Sequence, residues 1–198
     1  DVAHGLVKKP GLPDWDWSTA MVTGSDGAAA QQTSLSPMFD QPGVHDIYRE
    51  WNAVLAEYDG DRALVAEAWV EPLSSLADYV RPDEMQQAFN FPYLTTAWDA
   101  AALRATIDES FRVYDAVGAP CTWVLSNHDV VRHATRLALP AGHRPNGIRA
   151  HDPQPDAALG LRRARAATLQ MLALPGSAYL YQGEELGLPE HTTLDDSL

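Results

Sequence analysis

The chain has 198 residues, 45% of them hydrophobic, enough to bury a core of ordinary domain size. Its 27 acidic against 14 basic residues leave a net charge of −13, a surface that repels phosphate backbones and argues against a nucleic-acid partner. No apolar run approaches the ~18–20 residues that span a bilayer, so no membrane partner is expected, and no secretory leader is visible.

In chain order, residues 3–43 are rich in Gly, Pro, Ser and Asp without a sustained period and read as a long loop. Over 44–58, Val44, Ile47, Tyr48, Trp51, Val54 and Leu55 recur at helical spacing, with Gly60 as a stop signal. The run RALVAEAWV at 62–70 is apolar without helical period and predicts a buried strand. A short helix is expected over 73–80, ended by Pro82, then a strand over 85–91. Residues 99–117 form a clear amphipathic pattern, with Leu103, Ile107, Phe111, Tyr114 and Val117 along one side. A strand follows at 121–125, a long loop at 128–155, a basic-faced helix at 158–174, and a last strand at 177–181 before a Gly/Glu loop. Cys121, the single cysteine, lies in an apolar stretch and can form no internal disulfide. It reads as a buried structural thiol, and a cytoplasmic protein is expected.

Strands alternating with helices specify a parallel sheet covered by helices. Four strands, or five if one ended just before Asp1, fall short of the eight of a closed barrel and would also suit an open doubly wound sheet. Strand number alone leaves both architectures open.

In either architecture, chemistry collects at the C-terminal ends of the strands. Glu67 ends the run LVAE, Asp129 follows CTWVLSNH, Glu184 and Glu185 follow SAYLYQG, and Asp1 opens the chain. A carboxylate beside an apolar strand costs desolvation energy unless paired, and crowding raises one pKa of a group, which suits a general acid. One such residue reads as a structural pair or a cap; several at equivalent positions on successive strands point to a site. The histidines His4, His45, His128, His133, His143, His151 and His191 form no H-E-x-x-H pattern, and the spacing of His128 and His133 is a weak basis for zinc. No metal and no cofactor are expected. No G-x-S-x-G elbow or phosphate-binding Gly loop occurs.

The segments DVAHG at 1–5, LVAEAWV at 64–70, SNHDVVRH at 126–133 and YQGEELGLPE at 181–190 resemble four consecutive signatures of glycoside hydrolase family 13, the α-amylase superfamily. AFNFPYL at 88–94 and QPGVHDIYREW at 41–51 resemble segments of its α-glucosidase and oligo-1,6-glucosidase branch. The resemblance implies a (β/α)8 TIM barrel, an α/β fold, of which this chain carries the end of strand 4 through strand 8. It implies a retaining α-glucosidase acting on a small oligosaccharide or disaccharide. In that family pattern Asp1 matches the nucleophile and Glu67 the general acid/base. Asp129 matches the third carboxylate, His128 a sugar-binding histidine, and Val2 a position touching the leaving sugar. Arg132 could reach substrate or serve an ion pair, and His4 lies toward the leaving-group side. Glu184 and Glu185 read as structural. Trp15, Trp17, Trp69, Phe89 and Phe91 could stack on sugar faces, although all but the loop residues Trp15 and Trp17 suit a core. Two alternatives fit the same residues: a transglucosidase or trehalose synthase-like isomerase, and a binding subunit that has lost catalysis.

The pattern is incomplete. The signature on the family's third strand and the arginine two residues before the nucleophile are missing, as are the B domain and the C-terminal β-sandwich. Residues 1–198 are therefore expected to be one partial catalytic barrel lacking its N-terminal half, and inactive alone.

Overall fold

The computed structural model describes residues 3–14, 36–140 and 147–193. After a 3-10 turn at Ala3–Gly5, helix α1 (Gly43–Leu55) leads into strand β1 (Val65–Ala66), helix α2 (Leu73–Asp78) and strand β2 (Gln87–Ala88). Helices α3 (Phe91–Thr95) and α4 (Ala100–Val117) precede strand β3 (Thr122–Val124). Helices α5 (His133–Arg136) and α6 (Ala157–Ala173) precede strand β4 (Ser177–Tyr179).

All pairing is parallel. β1 aligns Val65 with Gln87 and Ala66 with Ala88, and β3 aligns Thr122, Trp123 and Val124 with Ser177, Ala178 and Tyr179. A bridge between Phe89 and Thr122 joins the two pairs, so the spatial order β1–β2–β3–β4 is the chain order. No reversal of order, the mark of a doubly wound sheet, occurs among the described strands. The sheet is also concave. The Gln87 side chain on β2 donates to Ser177 Oγ at 2.9 Å and accepts from the Tyr179 hydroxyl at 2.6 Å, reaching β4 past the intervening β3. In a flat sheet those strands stand roughly 9–10 Å apart. Sequential order and curl are the geometry of a barrel wall.

The two faces of the wall differ as the pleat requires. Ala66, Ala68 and Val70 are buried toward the helices, whereas Val65, Glu67 and Trp69 alternate with them and retain exposure. Trp123 points into the helical layer, edge-on to Tyr93 and Phe111 at 5.0 and 5.6 Å, with its indole N–H on the Pro175 carbonyl at 2.8 Å. Tyr48, Leu76, Tyr79, Tyr114 and Met171 complete that core.

Local chemistry sets the long helices. The Asp99 carboxylate caps α4 by accepting from the Ala102 amide at 2.9 Å, and Gly118 ends it in a left-handed conformation (φ 74°). Asp156 caps α6 through the Leu159 amide at 2.9 Å. The face α6 buries is narrow and made of Gly160, Ala164, Ala167 and Met171, leaving Arg162 and Arg165 in solvent.

The structure differs from the sequence reading in length more than in order. Paired strands are two or three residues long, against runs of five to nine expected, because ladder pairing covers only part of each apolar run. Helix α1 ends at Leu55, ahead of Gly60. Phe91, expected at the end of a strand, begins α3 instead, where Asn90 Oδ1 accepts from the Tyr93 amide at 3.0 Å and Pro92 occupies the first turn. The expected loop 128–155 contains α5. Among the described residues, no helix is long and apolar enough to cross a membrane.

Candidate active site

β1 delivers Glu67 one residue past its paired segment, between the buried Ala66 and Ala68, on the concave face. β3 delivers the segment Ser126–Arg132. There the Asp129 amide donates to Asn127 Oδ1 at 2.9 Å, a local turn that lifts His128 and Asp129 clear of the core. Their side chains are 56% and 52% exposed, open to a ligand in solution, with His128 Nε2 3.6 Å from Asp129 Oδ1. One donor atom from each of Glu67, His128 and Asp129 lies within 4.8 Å of the others. β2 stands between the strands that carry them, so the curl of the wall brings them together. Three such groups can hold a sugar's hydroxyls; their spacing also allows a cation.

His4 lies against the same cluster. Its ring is buried, 4.5 Å from the Phe39 ring, and hydrogen-bonds the Glu67 backbone. Burial pulls its pKa down to about 4, so the ring is neutral at neutral pH. The Asp40 amide donates to the His4 carbonyl at 2.7 Å, and the Tyr48 hydroxyl donates to the Ala3 carbonyl, fixing the 3-10 turn to α1. Asp1 and Val2, and the sequence candidates Trp15 and Trp17, lie outside the described residues.

The remaining candidates take other positions. The Arg132 guanidinium donates to the Gln182 carbonyl at 2.7 Å and covers the Tyr181 ring at 4.6 Å, so it braces the loop after β4. Trp69 and Phe91 stack on one another, 3.8 Å between centroids at 13°, and Phe89 meets Tyr179 edge-on at 4.8 Å. Aromatic packing among themselves occupies these rings. Cys121 is buried, and burial pushes its thiol up to about 12.

The catalytic-domain model of the α-amylase family matches residues 1–197. The chain belongs to the α-amylase catalytic-domain family. Within it, the chain is 27% identical over 157 residues to the salivary α-glucosidase of Anopheles gambiae, covering 75% of this chain and 23% of that protein. It is 27% identical over 183 residues to the trehalose synthase of Pimelobacter sp. (strain R48), covering 78% of this chain and 31% of that one. Its fold matches an α-glucosyl transfer enzyme of known structure with a TM-score of 0.70 at 23% identity, over 100% of this chain and 34% of the other. The chain is thus a stretch of the α-amylase barrel fold, and it spans 23% to 34% of the length of these proteins.

Beneath the Glu67, His128 and Asp129 cluster lies a polar layer that the sequence did not reveal. His133 is buried, with Nδ1 3.1 Å from Ser126 Oγ and Nε2 3.2 Å from Thr168 Oγ1 on α6. Glu184 Oε1 approaches His133 Nδ1 at 3.1 Å without a hydrogen bond's alignment, while its Oε2 accepts from the Tyr181 amide at 3.1 Å. Glu185 accepts from the Gly183 amide at 2.9 Å. Nothing in the spacing of HATR or GEEL distinguishes these contacts from surface charge; the side chains meet only once the wall is folded.

Proposed function

We propose that this chain supplies the end of strand 4 through strand 8 of the catalytic barrel of a retaining α-glucosidase that removes terminal glucose from short α-glucosides. The observation that carries the reading is the convergence of Glu67, His128 and Asp129 at the C-terminal mouth of a curved parallel wall.

In this reading the Asp1 carboxylate attacks the anomeric carbon as the bond to the leaving oxygen breaks, and Glu67 gives that oxygen its proton. The product is a glucosyl ester on Asp1. Water then attacks the same carbon, Glu67 takes back a proton, and the carboxylate of Asp1 leaves, so configuration is retained. Asp129 and His128 hold the sugar hydroxyls. Their hydrogen bonds gain strength as positive charge develops on the ring, which is the condition for them to speed the reaction rather than only bind. Val2 matches the family position beside the leaving sugar. The neutral His4 ring supports the acid/base from behind, through the Glu67 backbone. Arg132 braces the loop after β4 through the Gln182 carbonyl and the Tyr181 ring.

Likeness to a trehalose synthase and to an α-glucosyl transfer enzyme supports a second reading, in which a sugar hydroxyl replaces water in the second step. One experiment addresses both. In the complete enzyme, Glu67→Gln is expected to lower turnover of maltose by about 10²–10⁴-fold, the usual worth of a general acid/base. Unchanged turnover would remove the assignment. Products formed from concentrated maltose separate glucose release from transfer, and activity that survives EDTA separates sugar-handling carboxylates from a metal centre.

A further inference from the structure

The loop bearing His128 and Asp129 is exposed, yet sugar chemistry requires its groups to be held to within a fraction of an ångström. Its fixation comes from below. Ser126 Oγ accepts from the His133 amide at 2.9 Å, closing the segment on itself. Arg136, on the single turn of α5, then reaches back under it. One terminal nitrogen of its guanidinium donates to the Val131 carbonyl at 2.6 Å. The other donates to the Leu125 carbonyl and, at 3.1 Å, to the Leu94 carbonyl. Leu125 and Val131 stand on either side of the stretch that holds His128 and Asp129, and Leu94 belongs to α3, the helix that follows β2.

We propose that Arg136 is a positioning residue for the reaction: its guanidinium clamps both ends of the His128–Asp129 loop to each other and to α3. The inference rests on Asp129 acting on the sugar as described above. A guanidinium suits the task because two nitrogens of a rigid plane address three carbonyls in fixed directions; a lysine ammonium offers one point. Desolvation pulls Arg136 down to about 10, opposed by the charge of Glu184, so the group remains charged at neutral pH and the carbonyls remain its counterparts.

The test uses the complete enzyme carrying Arg136→Lys, with Arg136→Gln as a second variant should the first fail to accumulate. Turnover of maltose is expected to fall roughly 100-fold, most of it in kcat, the scale set by a small misplacement of catalytic groups. Amide exchange is expected to quicken in residues 126–132 while α6 keeps its protection. Guanidinium ion added to Arg136→Ala is expected to restore part of kcat. Met171→Ala, which loosens the core on α6, is the comparison, and it should lose stability but keep kcat. Arg136→Lys turning over within threefold of the parent, or exchange in 126–132 unchanged, overturns the proposal. Exchange is read without substrate, so a protein that proved inactive would overturn the glucosidase reading while leaving the clamp itself measured.

Discussion

The ring of His4 is held between Phe39 and the Glu67 backbone, in surroundings that resist its protonation. Its pKa falls from the ordinary 6.5 to about 4, chiefly through desolvation. Between those two values the unfolded chain takes up a proton that the folded state refuses. The stability attached to His4 is therefore fully present above pH 6.5 and is lost as pH falls toward 4, a loss on the order of 3 kcal/mol. Asp40 and Glu71, both raised by burial, work in the opposite direction, since the folded state binds their protons more readily. The diagnostic is thus a difference. His4→Gln keeps a donor for the Glu67 backbone and does not titrate. Urea midpoints of parent and variant are expected to converge as pH drops from 7 to 4.5; parallel curves would show that His4 refuses no proton.

At this scale the sequence was informative about which groups stand at strand ends and silent about what holds them. Glu67 and Asp129 were readable because an acid after an apolar run is conspicuous, and the structure brings them together with His128. Arg136 was not readable, because its partners are three main-chain carbonyls that carry no residue identity. Arg132, four residues earlier, read equally as a substrate contact or an ion-pair residue; the structure sets its guanidinium on the Gln182 carbonyl and the Tyr181 ring.

Among the elements, the long helices were legible because their caps and stripes are written locally: Asp99 and Gly118 bound α4 where the pattern begins and stops. α3 and α5 were hidden by length. Four or five residues show no period, and each is set by one local contact, Asn90 on the Tyr93 amide and Ser126 on the His133 amide. The narrow small-residue face of α6 has its own consequence. A methyl on Gly160 would stand 2.2 Å from the Ala134 carbonyl oxygen, on the helix that also carries Arg136. Helix propensity favours alanine there by up to about 1 kcal/mol, while overpacking against backbone costs about 1–3 kcal/mol. The steric effect wins, so Gly160→Ala is expected to destabilise by about 1–2 kcal/mol in a urea titration of the complete enzyme. A stabilised variant would mean that α5 and α6 can separate without cost.

For the whole molecule, the alternation of strands and helices along the chain was legible and their spatial arrangement was not, because four parallel strands suit a barrel or an open sheet until their order and curl are known. Among the described residues, β1 and β4 are the two edges of that curled wall. Trp51, Val54 and Tyr58, which precede β1 in the chain, and Val65 on it are exposed, as are Leu169 and Leu172 on α6 and Tyr179 and Leu180 on and just after β4. Unpaired parallel strands present open N–H and C=O groups, and exposed apolar side chains add to the tendency to associate. In a closed barrel the remaining strands would pair with both edges and the remaining helices would cover both flanks. The 198-residue chain by itself is therefore expected to run as oligomers or aggregate in size-exclusion chromatography and to show no hydrolysis of p-nitrophenyl α-glucoside. Co-expression with a segment that supplies the first barrel strands is expected to yield a soluble complex. A monodisperse, active 198-residue monomer would mean that these flanks are tolerable in water and that the site needs nothing beyond the groups this chain carries.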